Sequence, residues 1–226
     1  MTPTFASGRV ITFLLAVILL NLTYPITTQQ TIFTLLYPIL YTLVLGTGIY
    51  TVAVRFRRFV IASILAAFTA VLMLIWVLNP SDPLPTLAGL NALVLFQAYL
   101  LAVLLEYVFS ARSVNRDVLI AAITIYVLIA DIFTPFYMSI EIISQQTIGQ
   151  PAFILAATPE VPVQWQNLIY YSFVTLTTLG YGDVLPVSLW AQAFVSMEAV
   201  IGVLYIAILI GRLVGLYTQE RISHVV

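Results

Sequence analysis

The chain reads as an all-α membrane protein, with six membrane-spanning helices and one short re-entrant segment between the fifth and the sixth. Three observations carry that expectation. Of 226 residues, 62% are hydrophobic and 8% charged, and mean hydropathy is +1.09; a soluble domain runs about 45–50% apolar and about 25% charged. So few charges cannot cover a water-facing surface. Apolar stretches long enough to cross a bilayer, which takes about 20 residues, alternate with short polar loops. All eight basic residues are arginines, and in a six-span arrangement they fall on one side.

Between Arg9 and Arg55 no residue is charged, and the stretch has room for two spans. Asn21 to Gln30, with Pro25 and a polar tail, divides it into a first span near 9–25 and a second near 31–54. A signal peptide is the alternative for the first span, but no small-residue cleavage pattern precedes Pro25. Asn21-Leu22-Thr23 matches a glycosylation acceptor; so close to the membrane it reads as an ordinary turn. The third span covers about 59–79 and ends at the Pro-rich loop Asn79 to Pro85, and the fourth covers about 86–109. The fifth covers about 117–142, and the polar stretch Ser144 to Pro162 follows it. Leu168 to Leu179 is too short and too rich in threonine to span, which makes it the re-entrant segment. The last span covers about 188–217. Pro38 and Pro135 lie inside spans and are expected to kink them. No internal repeat shows at a period of 20–50 residues.

Arg9, then Arg55, Arg57 and Arg58, then Arg112 and Arg116, then Arg212 and Arg221 mark successive loops on one side. The positive-inside rule makes that side the cytoplasm, with both termini there. Trp76, Trp165 and Trp190 then fall near the outer interface, where indoles concentrate, and the re-entrant segment enters from outside. The absence of cysteine removes disulfides, thiolate nucleophiles and iron–sulfur ligation. One histidine, His224, excludes multi-histidine metal sites and nearly all histidine catalysis. A net charge of −1 points to no nucleic-acid partner. Two classes remain: a transport or channel protein, or an intramembrane carboxylate enzyme.

The segment from Tyr170 to Asp183, YYSFVTLTTLGYGD, carries the chemistry. Non-helical backbone at membrane depth is tolerated only inside protein or along a water-filled path. Gly180 and Gly182 allow backbone angles that a side chain forbids, so that successive carbonyls can face one way. Such a row can replace a cation's hydration shell. The helix before it directs its negative dipole end to the same place.

TLTTLGYGD resembles the signature of the tetrameric potassium channels, and the span–short helix–loop–span order is similar to their pore module. The likeness is close over 163–217 and looser over 117–142. It implies a four-helix region at 1–115, a pore domain at 116–220 and a short cytoplasmic tail at 218–226. Within the pore domain it implies an outer helix at 117–142, a pore helix at 163–177, a selectivity filter at 178–183 and an inner helix at 188–217. K+ would be the permeant ion, with no organic cofactor, held by the carbonyls of Thr178, Leu179, Gly180 and Tyr181 and by the Thr178 hydroxyl. Gly182 completes the loop. Leu179 stands where the family more often has valine or isoleucine, and the Tyr181 ring is expected behind the filter. One copy per chain supplies a quarter of such a filter, hence a fourfold-symmetric homotetramer. Tyr170 takes the place from which the family's pore helix, usually with a tryptophan, bonds the residue here numbered Asp183; simple packing is its other reading.

By the same likeness Gly202 aligns with a hinge glycine, although glycines in spans also serve close packing. Val203, Ile206, Ile210 and Val214 would line the cavity and gate by dewetting. The six-span order resembles the voltage-gated layout, yet about 86–109 holds no arginine, so no sensor-type voltage dependence is expected. The first four spans form a packing collar or a lipid-binding bundle. Membrane lipids are the other partners expected, with no nucleic acid and no soluble ligand domain. The setting is the plasma membrane, and a compact chain without lysine suggests a prokaryote.

Carboxylates inside a span are costly and usually functional. At about 1.5 Å per residue, Asp131 lies about 21 Å above the inner end of its span, and Glu198 about 15 Å below the outer end of its own. Glu198 is expected behind the filter, bonded to Ser172 or Thr175, with the neutral acid one form it could take; Asp131 could share that network. A purely structural hydrogen bond is the alternative. Glu106 is expected to pair with Arg112 or a loop arginine. Three rival functions remain: a non-selective cation channel, a non-conducting subunit, and an intramembrane aspartyl protease using Asp131 and Asp183, since Gly180-Tyr181-Gly182-Asp183 also fits a Gly-x-Gly-Asp motif.

Overall fold

The computed structural model describes residues 7–23, 36–53, 55–79 and 82–223. Among them are seven helices and one two-stranded ribbon: α1 (Ser7–Thr23), α2 (Leu36–Val52), α3 (Phe56–Leu78), α4 (Pro83–Ser110), α5 (Arg116–Ile148), β1 (Phe153–Leu155), α6 (Trp165–Leu176), β2 (Val184–Pro186) and α7 (Leu189–Ser223). The expected turn around Pro25, and His224, lie outside the described residues.

Local chemistry sets where the helices begin. Asp82 caps α4 by accepting from Leu84 N at 3.0 Å, and Pro83 takes the first helical position, where a missing N–H costs nothing. Asn115 caps α5 through Val118 N at 2.9 Å, and Ser188 caps α7 through Ala191 N at 3.1 Å. Asn21 to Thr23 form the last turn of α1 rather than a free turn, because Asn21 Nδ2 and Thr23 Oγ1 each bond the carbonyl four residues back, both at 2.9 Å.

Among the described residues, four helices are long and apolar enough to cross a membrane: Phe56–Trp76, Pro83–Ser110, Arg116–Ile148 and Leu189–Leu216. α1 and α2 are apolar but span 17 residues each. α5 runs on to Ile148, past the expected end at 142. The polar residues there do not stop it because Glu141 (1% exposed) and Ser144 are buried with partners of their own. α7 likewise continues past the expected end at 217 to Ser223. Inside α5, Pro135 removes the N–H that would bond the Asp131 carbonyl.

The chain divides into two compact units. One gathers α1, α2, the start of α3, the end of α4, the start of α5 and the end of α7. Here α1 packs on α2, with Thr51 Oγ1 donating to Arg9 O at 3.1 Å and the Arg9 guanidinium 4.7 Å over the Tyr50 ring. Glu106 pairs with Arg58, in the first turn of α3, through bonds of 2.7 and 2.8 Å to the same Nη2; Tyr205 OH donates to Ala122 O at 2.7 Å.

The other unit holds the rest of α3, α4, α5 and α7, together with β1, α6 and β2. Its core is Tyr137, Ala152, Phe153, Val163, Leu168, Tyr171, Val184 and Ala191. The Tyr137, Phe153 and Tyr171 rings meet pairwise at 5.3 to 5.9 Å between centroids. β1 and β2 pair antiparallel, Phe153 with Pro186, Ile154 with Leu185 and Leu155 with Val184. This ribbon, whose first strand lies in the polar stretch Ser144 to Pro162, joins the approach to α6 with the chain leaving the 178–183 loop.

Candidate ion-conduction site

α6 is 12 residues long, about 18 Å at about 1.5 Å per residue, well short of the roughly 30 Å hydrocarbon core. Gln164 N bonds Asn167 Oδ1 at 2.9 Å at its start. Its buried face is Leu168, Ile169, Tyr171, Ser172, Val174, Thr175 and Leu176. At its end Thr178 N bonds Thr175 O and Leu179 N bonds Val174 O, each at 2.9 Å. These bonds tie the following loop to the last turn of the helix.

From there the backbone alternates in handedness. Thr178, Gly180 and Gly182 have φ of 60°, 57° and 74°, while Leu179 and Tyr181 keep negative φ. A uniform extended strand turns successive carbonyls to opposite sides; alternating the sign of φ turns them to one side. Thr178 is a β-branched residue at positive φ, a true outlier that costs on the order of 1–3 kcal/mol and persists only where its surroundings impose it. At Gly180 and Gly182 an added Cβ would meet nothing within 4 Å, so the requirement for glycine there is conformational, not steric. Among the described residues, the carbonyls of Thr178, Leu179, Gly180 and Tyr181 accept no backbone hydrogen bond from the chain. Such groups demand a partner.

The loop's far end is fixed. Asp183 O accepts from Ala156 N at 2.8 Å and Asp183 Oδ1 from Val184 N at 3.0 Å. Residues 177–183 are exposed in the single chain, with Leu179 at 57% and Tyr181 at 65%. The Tyr170 ring stacks on Tyr181, 6.5 Å between centroids and 8° between planes.

Behind α6 lies Glu198, fully buried on α7. Its Oε1 faces Ser172 Oγ, and its Oε2 accepts from Tyr137 OH at 2.5 Å. Ser172 Oγ also lies 2.8 Å from Ala130 O. One hydroxyl proton cannot serve two acceptors, so every contact in this cluster is satisfied when the Glu198 carboxyl carries a proton of its own. Among the described residues no arginine forms an ion pair with Glu198, and a buried anion without one is costly. Ser172 thus meets Glu198; Thr175 is buried on the same helix. Asp131 is buried on α5, next to the Ala130 carbonyl that Ser172 reaches.

Gly202 is buried where α7 passes the end of α6: a Cβ there would lie 2.3 Å from Leu176 O and 2.9 Å from Leu176 Cδ1. α7 runs through it unbroken. Val203, Ile206, Ile210 and Val214 are all exposed in the single chain.

Two residues of this region were invisible in the sequence. Tyr137 is one aromatic among many in an apolar run. Glu141 sits near the end of α5 and accepts from Ala152 N at 2.8 Å, Phe153 N at 2.9 Å and Gln145 Nε2 at 2.6 Å. It thereby pins the start of β1, whose partner strand leaves Asp183.

Residues 116–219, from α5 to near the end of α7, match a protein family described as Ion channel. No curated protein matches the chain. The matched family is one of channels, not of enzymes, and Asp183, the motif carboxylate of the protease reading, lies exposed in a loop outside any helix. Segment 116–219 is thus similar to ion channels, and among the described residues four helices are long and apolar enough to cross a bilayer, as in a multi-pass membrane protein.

Proposed function

We propose that this chain is a potassium-selective channel of the plasma membrane, working as a fourfold-symmetric homotetramer with both termini in the cytoplasm. The observation that carries the reading is the alternation of Thr178, Gly180 and Gly182 in left-handed backbone, with four successive carbonyls that accept no backbone hydrogen bond among the described residues. Four such rows around an axis would replace the water around a dehydrated K+, with the Thr178 hydroxyls closing the inner end. K+ is then the permeant ion, and no organic cofactor takes part. The exposure of Leu179 and Tyr181 in one chain fits a loop completed by neighbouring copies.

In this arrangement α1 and α2 join the four long helices as spans, α6 is the pore helix and α7 the inner helix. Val203, Ile206, Ile210 and Val214 line its cavity and lower constriction. Glu198, bonded to Ser172 and Tyr137, braces α6 from behind, with Asp131 and Thr175 beside it; Tyr170 and Asp183 steady the outer end. The exposed apolar side chains of α3, among them Ile64, Phe68, Val71 and Leu74, face lipid. α4 has no arginine, so opening does not follow the membrane field steeply.

Purified protein in liposomes, under a K+ gradient, tests the reading. Flux carried by K+, blocked by barium and lost on replacement of K+ by Na+ supports it. Equal Na+ and K+ flux contradicts the selectivity, and absent flux contradicts the channel.

A further inference from the structure

Along 189–216 of α7 a narrow stripe is buried or half-buried against its own chain, and in the unit that contains the helix's C-terminal part it includes Tyr205 and Arg212. We infer that Arg212 is a positioning residue for the gate, tying the gate-bearing part of α7 to the C-terminus of α4, so that the helices before α5 set the balance between open and closed. This rests on the reading of α7 as the gated inner helix.

α4 ends without a basic residue in its last turn, although the last carbonyls of any helix lack intrahelical partners and carry its negative dipole end. Arg212 supplies the cation from another helix. Its Nη2 donates to Phe109 O at 2.6 Å and to Ala111 O at 2.8 Å, its Nε to Val108 O at 3.3 Å, and its guanidinium lies 5.5 Å over the Phe109 ring. A planar fork of donors suits a cluster of carbonyls in a way that a point charge on a flexible stem does not.

Position makes this contact more than a cap. Ile210 and Val214, two residues to either side, are 56% and 60% exposed, on the face that would line the cavity. Two turns earlier Tyr205 is held to α5 by its bond to Ala122 O at 2.7 Å and by stacking on Tyr126. The stretch from Tyr205 to Arg212 is therefore anchored at one end to α5 and at the other to α4. It cannot swing without dragging the end of α4 or breaking three charge-assisted bonds.

Single-channel recording of the full-length protein in planar bilayers, with K+ as the charge carrier, tests the tie. Arg212→Gln is expected to change the ratio of open to closed time by about tenfold or more, since it removes the charge from all three bonds to the end of α4. Unitary current and the K+/Na+ permeability ratio stay at wild-type values, and Arg212→Lys, which keeps the cation at the helix end, lies closer to wild type. Phe109→Leu keeps every backbone carbonyl and removes the ring, and is expected to shift the ratio in the same direction by about two- to fivefold. It also serves as the test if Arg212→Gln fails to assemble. A wild-type ratio in Arg212→Gln, or in Phe109→Leu where only that variant assembles, overturns the inference while leaving the channel reading intact. A shift accompanied by lost selectivity overturns it too, because it marks general damage. Absence of flux from the wild type defeats the channel reading first and this inference with it.

Discussion

Gly202→Ala is the sharpest perturbation available, because one methyl group decides between packing and hinge. The added Cβ would sit 2.3 Å from Leu176 O and 2.9 Å from Leu176 Cδ1. The side chain can turn away, but the carbonyl belongs to the last turn of α6 and cannot. Restoring ordinary contact requires α7 and the end of α6 to part by about 1 Å, and overpacking of this kind costs about 1–3 kcal/mol. At about 2–4 °C per kcal/mol for a chain of this size, the loss shows as a Tm lower by several degrees. Thr178, the strained residue at the start of the filter, lies two residues beyond Leu176, so the same displacement is expected to raise Na+ permeability. Thermal unfolding in detergent and bi-ionic reversal potentials read the two effects. Gly46→Ala on α2, where a Cβ meets nothing within 4 Å, is the control, neutral or stabilising by about 0.5–1 kcal/mol. A Gly202→Ala protein with wild-type Tm and selectivity but altered opening would refute close approach and favour a hinge.

Three further outcomes follow from the same contacts. Glu198→Gln is expected to stay near wild-type stability, because its amide can donate to Ser172 and its carbonyl accept from Tyr137; Glu198→Leu strands the buried Tyr137 hydroxyl and costs about 1–3 kcal/mol, both read by thermal unfolding. Glu141→Leu leaves Ala152 N and Phe153 N without an acceptor, at about 1–3 kcal/mol each, and hydrogen exchange is expected to quicken at Ala156 and Val187, whose amides bond Asp183 O and Ala152 O across the ribbon. Gly180→Ala meets no atom within 4 Å, but left-handed backbone with a Cβ costs about 1–2 kcal/mol; selectivity for K+ over Na+ in reversal potentials is expected to fall while assembly persists.

Much of the helical plan was legible because its signals are local. Long apolar runs mark α3, α4, α5 and α7, and the Thr-Leu-Gly-Tyr-Gly run marks a loop that only glycine-permitted angles can form. The pairing of Glu198 with Ser172 was within reach because a carboxylate inside a span must find hydroxyls near its own depth. What stayed hidden depends on contacts across the fold. Glu141 looked like the polar end of a span, yet amides 11 and 12 residues further on satisfy it, which is why α5 continues to Ile148. Periodicity says nothing about such a turn, nor about the register of a three-residue ribbon. Arg212 read as one more cytoplasmic charge, and only the placement of α4's end reveals its partners. Gly202 fitted two roles equally until the Leu176 carbonyl was placed beside it.

The most direct test of selection by backbone carbonyls is the bi-ionic reversal potential of the purified wild-type protein in planar bilayers, with K+ on one side and Na+ on the other. A row of four carbonyls on each subunit predicts a potential set almost wholly by K+. A potential near zero, with both ions carrying current, would contradict it.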